Sequence, residues 1–533
     1  MRMTGTAGTY TAEGNSFKGY VHGPFGSVGS FDGMENMTGK SWPVIRTRDP
    51  RRKVRTFENY RAVFGHDALG WIDGTEVWYN GEQVGTVTDG PKVICELGAL
   101  VCVWPDKKIY NTVDGTWQAM EQDTTVSGTI TYTSCDLMGD PVIHSLAVYM
   151  KIAATGISAG LRSNDVVDIT GSDVLPDGAY QVYTVEADSF IVLATMDADS
   201  ATQAGGLRIT RTVPDMDYMT QSDNRIWGCS NETHELYACA LGDPRNWYTY
   251  QGLATDAYAL TVGTPGQFTG MITHLGYVVV FKEDAIHKVF GNKPSNYQLT
   301  TTHARGVEAG SEKSLCIMNE TLYYLSPTGM VGFEGSLPGD VSDALGDVKY
   351  KNAVCGAAYG RLYVSMQDQD GWWHLFTYDG KNGYWYREDG SHALDFRYAG
   401  GTLYMVRADG TLWALSGPGD AALEDETAAD EGAVYWTIET GDLRMEDLYK
   451  KHLQKIMLRF RLAADVECGV MVRYDSGNWE HVRAFSGKAD KKATVLPLIP
   501  RRCDHMRIRM TGRGEMRLLE MNCVYWSGSD QKV

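Results

Sequence analysis

Residues Leu275 to Phe290 read LGYVVVFKEDAIHKVF, and residues Leu97 to Val113 read LGALVCVWPDKKIYNTV. Both open Leu-Gly, run through apolar residues, turn at an Asp beside Lys or Glu, and resume with Ile. Alternating and β-branched character over four to six residues, broken by a short polar turn, is the pattern of two antiparallel strands. The second stretch carries one extra residue in its turn. A unit of this kind used twice makes an internal repeat the first thing to look for.

A looser form of the unit recurs along the chain: TEVWYNG from Thr75, NRIWGCS from Asn224, ETLYYLSPTG from Glu320, GRLYVSMQDQDG from Gly360 and GTLYMVRADG from Gly401. Val278, Leu322, Leu362 and Leu403 stand about 40 residues apart, the period of a four-stranded propeller blade. The tripeptides ending at Gly329, Gly380 and Gly410 suit the positive-φ position of tight hairpins. Aromatic enrichment, as in DGWWHLFTYDGKNGYWYRED, and the near absence of a 3.6-residue period predict an all-β chain. The simplest organisation is a β-propeller of six or seven blades, because a ring of blades leaves no long exposed sheet edge.

The period breaks between Lys108 and Asn224. Inside the gap, SNDVVDITGSDVLPDGAYQVYTVEADSFIVLAT and GGLRITRTV supply enough strands for a small separate β domain, and a structureless loop of that length is improbable. After the last blade, GPGDAALEDETAADEGA (Gly417 to Ala433) has linker composition. Beyond it, Ile456, Leu458, Phe460 and Leu462 alternate with Met457, Arg459 and Arg461, and Met506, Ile508 and Met510 with Arg507 and Arg509; both are strands buried on one face. The expected division is an N-terminal arm and lead-in over 1–60, first blades over 61–123, an inserted β-barrel or sandwich over 124–213, remaining blades over 214–416, an acidic linker over 417–433 and a C-terminal β-sandwich over 434–533. The Gly-, Ser- and Thr-rich start is too poor in aliphatics to build a core and is expected to order on a partner.

The 533 residues carry 49 Lys and Arg against 67 Asp and Glu, a net charge of −18, which argues against an extended basic surface for nucleic acid. No apolar stretch has the length of a signal peptide core or a membrane span, so synthesis in the cytoplasm is expected. The ten cysteines form no C-x-x-C pair and lie in apolar strand patterns, as buried reduced thiols do.

No Walker loop, dinucleotide fingerprint, G-x-S-x-G elbow or H-E-x-x-H is present, and no catalytic residue, metal or cofactor is expected. His274 and His287 lie within strands. Asp368 and Asp370 resemble the start of a calcium loop, but Trp372 takes a ligand position and a hairpin turn accounts for the stretch. RYDSGNW is a defective echo of the sialidase Asp-box, with Arg473 in place of Ser and Trp479 one residue early. The remaining candidate is the basic run IRTRDPRRKVR. Arg46, Arg48, Arg51, Arg52, Lys53 and Arg55 suit contact with an acidic protein surface, plain solvation or, less readily, phosphate.

The order of a Gly-rich arm, ENMTGKSWPVIRTRDPRRKV, early blades, LGYVVVFKEDAIHKVFG, SLCIMNETLYYLSPTGMVGFEG and an Arg-striped C-terminal part resembles the β-propeller tail hub or nozzle proteins of short-tailed bacteriophages. Met34 to Arg52 resembles their lead-in to the first blade. The resemblance implies a structural virion protein without catalytic residues, assembled in the host cytoplasm and located in the tail. It implies a cyclic homo-oligomer, commonly a hexamer, below the portal and adaptor. Fibre or spike proteins would be its neighbours, and double-stranded DNA would be retained and then conducted without tight binding. The alternatives are a host-facing receptor-binding or baseplate propeller protein, or a carbohydrate-active propeller enzyme.

Overall fold

The stretch Leu275–Phe290 forms the middle of a four-stranded antiparallel sheet made of Gly270–His274, Tyr277–Lys282, Ala285–Phe290 and Gln298–His303. Val278 faces Val289, Phe281 faces Ile286, and Lys282 faces Ala285, so Glu283 and Asp284 make a two-residue turn. The related stretch pairs Val103 with Lys108, the same five-residue separation as Phe281 with Ile286, and its turn holds Lys107 at φ 50. In both sheets the central strands are buried on both faces, with Val279, Val280, Phe281, Cys102 and Val103 at zero exposure. This explains the continuous apolar runs.

In this computed structural model the described residues are 9–528 apart from 24, 66, 446–448, 465, 488, 491–492 and 500. The ends of the expected arm and of the C-terminal part, 1–8 and 529–533, lie outside them. Among the described residues there is no α-helix, only strands and four short 3₁₀ turns. Six sheets are consecutive four-stranded meanders, spanning residues 60–86, 93–119, 218–261, 270–303, 316–340 and 350–389. A seventh joins Ala393–Ala399, Thr402–Arg407 and Thr411–Ser416 to Arg52–Thr56, with Ala429–Asp430 added beyond it. Of the expected turn glycines, Gly329 and Gly410 have positive φ. At Asp379–Tyr384 that conformation falls instead on Gly383, and Gly380 serves close packing, since a Cβ there would lie 2.6 Å from the Met318 methyl.

The chain divides into two compact units, one holding the described residues of Met1–Gly74, Trp78–Gln83 and Ala304–Val533, the other Thr75–Val77 and Val84–His303. Within the second, an eight-stranded sheet runs from Gln122–Thr125 through Arg208–Arg211 to Ser200–Gln203. It encloses its own core of Ile130, Tyr132, Ile152, Val167, Ile169, Phe190 and Ile209. A bulge between Val182 and Thr184 lets the long strand Gly178–Glu186 serve both halves of the sheet.

Within the first unit, a five-stranded sheet contains Gly33–Glu35, Tyr435–Glu439, Met506–Arg513, Glu467–Tyr474 and Glu480–Ser486. A second sheet is built on Lys451–Leu462 and Met516–Ser527. Their apolar faces share one core, with Ile456, Leu458, Phe460 and Leu462 on one side and Met506, Ile508 and Met510 on the other.

The expectation of an arm that waits for a partner is corrected here. Thr9–Gly14 pairs with Met516–Ser527, and Phe17, Phe31, Met34, Met37 and Ile45 are all at most 2% exposed in that same core. Each such burial is worth roughly 2 kcal/mol before chain ordering is counted. The segment borrows a core from residues about 500 positions away, which no local composition could reveal. The expected linker over 417–433 is likewise an ordered part of the seventh sheet's surroundings: Leu423 is 1% exposed and Ala429–Asp430 pairs with Arg52 and Lys53.

Candidate functional site

The basic run begins in strand Ile45–Thr47 and ends along strand Arg52–Thr56, and four of its six cations are bound to acids of the same chain. Arg48 forks onto Glu431 through two hydrogen bonds of 2.5 and 2.7 Å and donates its Nε to Asn36. Arg51 donates one nitrogen to Glu388 and another to Asp389, both at 2.6 Å, and its backbone N–H to Glu431. Arg52 forks onto Glu424 and adds Asp430 at 2.8 Å. Arg46 closes locally on Asp49. Arg55 places its guanidinium 4.2 Å from the centre of the Trp71 ring, where burial lowers its pKa. Lys53 pairs by backbone with Trp413 and Ala429, and its charge helps to lower the pKa of Asp409.

Planar forks on carboxylates are the strong form of this contact and fix orientation as well as distance. Arg48, Arg51 and Glu388 each leave only 6% of their side chain exposed. Burial by itself would push the Asp389 carboxyl up, but Arg51, the Ser391 hydroxyl and Arg48 outweigh it and hold the group at about 2. The same competition, burial against Arg48, leaves Glu431 below its ordinary value. Asp389 and Glu431 are therefore held as carboxylates by the arginines they face. Cavities of about 260 and 190 Å³ flank the network, one beside Arg46 and Pro50, the other beside Arg51, Ser391 and Trp413.

The five acids that define this site, Glu388, Asp389, Glu424, Asp430 and Glu431, were not singled out from sequence. The available signal was charge complementarity between the run at 46–55 and the acid-rich stretch at 417–433. The other candidates resolve into structural roles. Asp368 accepts backbone N–H bonds from Asp370 and Trp372 and a side-chain bond from His374. Arg473 stacks on Trp479, 4.9 Å from its ring centre. His287 is fully buried between the hydroxyls of Thr264 and Thr301, and burial pulls its pKa down to about 4. His274 is also buried in its strand. The ten cysteines are free, and nine are buried. Among the described residues no group of three or more His, Cys, Asp or Glu is placed to hold a metal ion, and no helix is long and apolar enough to cross a membrane.

A second ion cluster sits at the root of the eight-stranded sheet. Asp165, at zero exposure, accepts from Arg211 at 2.5 Å, and from Arg245 and Asn246 at 3.0 Å each. Arg245 and Asn246 belong to the loop after strand Glu235–Ala238, so this carboxylate ties the inserted sheet to its host.

No family model matches the chain, and no curated protein matches it. Solved structures with a similar course include an exo-β-1,3-galactanase from Phanerochaete chrysosporium, 10% identical over 57% of this chain and 94% of that one, with a TM-score of 0.21. PorZ of the type-IX secretion system of Porphyromonas gingivalis is 12% identical over 83% and 75% of the two chains, with a TM-score of 0.28. AztD from Citrobacter koseri is 10% identical over 66% and 92%, with a TM-score of 0.26.

Proposed function

We propose that this chain is a structural subunit of a bacteriophage tail, a hub or nozzle protein that assembles as a ring below the portal and adaptor, retains packaged DNA and conducts it during ejection. The six meander sheets and the seventh sheet are read as seven blades of a propeller, the last completed by strand Arg52–Thr56. The observation that carries the reading is the way the described N-terminal segment is fastened to the C-terminal part. The N-terminal segment supplies strands to the C-terminal sheets, and the basic run is clamped by Glu388, Asp389, Glu424 and Glu431. Fastenings between residues hundreds of positions apart suit a part that bears load, and four of the six cations of the run are taken up by carboxylates. The sequence resemblance to tail hubs supplies the identity of the assembly.

Mass photometry of the purified protein at micromolar concentration, with electron microscopy of particles, tests it. Closed rings of one size are expected. A chain that stays monomeric and is absent from virions rules the reading out.

A further inference from the structure

One end of the inserted sheet exposes an unusual number of apolar side chains. Leu137, Met138, Ile143, Leu146, Val148 and Leu193 are between 42% and 78% exposed. They are neighbours in space. Thr184 donates its hydroxyl to the Leu137 carbonyl, His144 is held on Asp199 through both its backbone N–H and its ring, and Leu193 pairs with Tyr149, the residue after Val148. Six large apolar side chains so exposed on one loop and the strand beside it are more than the scattered single residues of an ordinary surface and mark a contact site. The rim is acidic, with Asp136, Asp140, Asp197 and Asp199 around the loop.

We propose that this tip docks on the Arg-striped outer face of the five-stranded C-terminal sheet of a second copy of the chain. The contact rests on the ring reading above and names its surfaces. Two tips cannot face each other well, because that would set acid against acid. The complementary surface lies in the C-terminal part, whose Lys and Arg outnumber its Asp and Glu although the whole chain is net −18. On its outer face Arg473, Arg509 and Arg513 alternate with the buried Met506, Ile508, Met510 and Val472 of the same strands. Arg473 and Arg509 both lie over the Trp479 ring, 4.9 and 4.0 Å from its centre, and Arg513 lies 5.1 Å from the ring centre of Tyr435, which is 67% exposed. Among the described residues neither Arg473 nor Arg513 has an ion pair. Beside Arg513 a cavity of about 540 Å³, lined by Tyr435, Trp436, Phe485 and the polar Glu467, Ser486 and Thr511, has room for an inserted Leu or Met. Aromatic and Arg residues around a cavity are the composition of interface anchors. Tip on one copy and face on the next make a head-to-tail contact, the kind that forms a ring when its rotation closes.

The test uses two full-length variants, Met138→Asp with Leu146→Asp at the tip, and Arg473→Glu with Arg513→Glu on the face, with thermal melting to confirm folding. Each alone is expected to weaken assembly at least tenfold. Mixed, each retains one intact surface, so the pair is expected to stop at dimers. Unchanged rings in both variants overturn the assignment of surfaces while the ring reading stands. A monomeric wild type at tens of micromolar overturns both. Flotation of wild type with phosphatidylcholine vesicles, lost in the tip variant while rings persist, would assign the tip to a lipid surface and also overturn the contact.

Discussion

Arg51 and Glu388, 337 residues apart in the chain, meet side chain to side chain at 2.6 Å, each left with 6% exposure. With Asp389 and Glu431 they join the strand that completes the seventh sheet to the end of the sixth and to the segment leading into the C-terminal part. A buried pair of this kind adds little over an apolar pair of the same shape, but removing one partner strands a charge.

Arg51→Met is therefore expected to cost about 3–5 kcal/mol, read as a fall in the urea midpoint. Adding Glu388→Gln to it is expected to recover part of this, since one of the two carboxylates that lose Arg51 is gone. Equal losses in the single and double variants would mean that Arg51 acts by packing alone.

Two groups contribute to the acid response in different pH windows. His287 titrates at about 4 in the folded chain against its ordinary 6.5, so the folded state binds fewer protons between those values. Its contribution is complete above pH 6.5 and is lost as pH falls toward 4, about 3 kcal/mol in all. Asp389, depressed to about 2, contributes above the ordinary carboxylate pKa and loses that contribution as pH falls below it, by roughly 2 kcal/mol. Stability against pH in His287→Gln should be flatter between pH 6.5 and 4 and unchanged in slope below 4. An unaltered slope in the upper window would show that His287 is already protonated in the native state.

Much of the fold was legible locally because its information is local. Val278–Phe281 and Leu322–Leu325 are apolar runs closed by tight turns, and the alternation at Ile456–Leu462 matches the faces seen. What could not be read is the joining of distant parts. Gly14 donates its N–H to Asn522, 508 residues away, and the arm looked coreless because its core lies at the other end of the chain. The basic run was visible as a cluster, but which acids face it depends on the seventh sheet closing with a strand from the beginning of the chain.

The inserted sheet has its own core, so residues 122–211 expressed alone should fold cooperatively. Replacing 124–213 of the full chain by a short Gly-Ser linker removes Asp165 and Arg211 and leaves Arg245, 3% exposed, with only Asp243 as ionic partner. The deletion is expected to be soluble but less stable than the parent. Aggregation of the deletion together with an unfolded 122–211 fragment would show that the segment belongs to its host.

The last expectation concerns DNA. Four of the six cations in the run at 46–55 are bound to carboxylates, and Arg55 is covered by an aromatic ring. A phosphate would have to displace forked Arg–carboxylate contacts, two of them largely buried, to gain contacts of the same kind. A conduit also works best when few counterions are released along its wall, since each phosphate contact adds to the salt dependence of binding and slows passage. Duplex DNA binding by the purified protein is therefore expected to be weak at about 0.15 M salt, with a shallow salt slope. Arg52→Ser with Lys53→Ser should leave it unchanged, because Arg52 is held by Glu424 and Asp430 whether or not DNA is present. The measurement is fluorescence anisotropy of a labelled duplex across a salt series. Tight binding that vanishes when Arg51, Arg52 and Lys53 become Ser, in a chain that still melts cooperatively, would show that these residues exchange their acids for phosphate and line the DNA path.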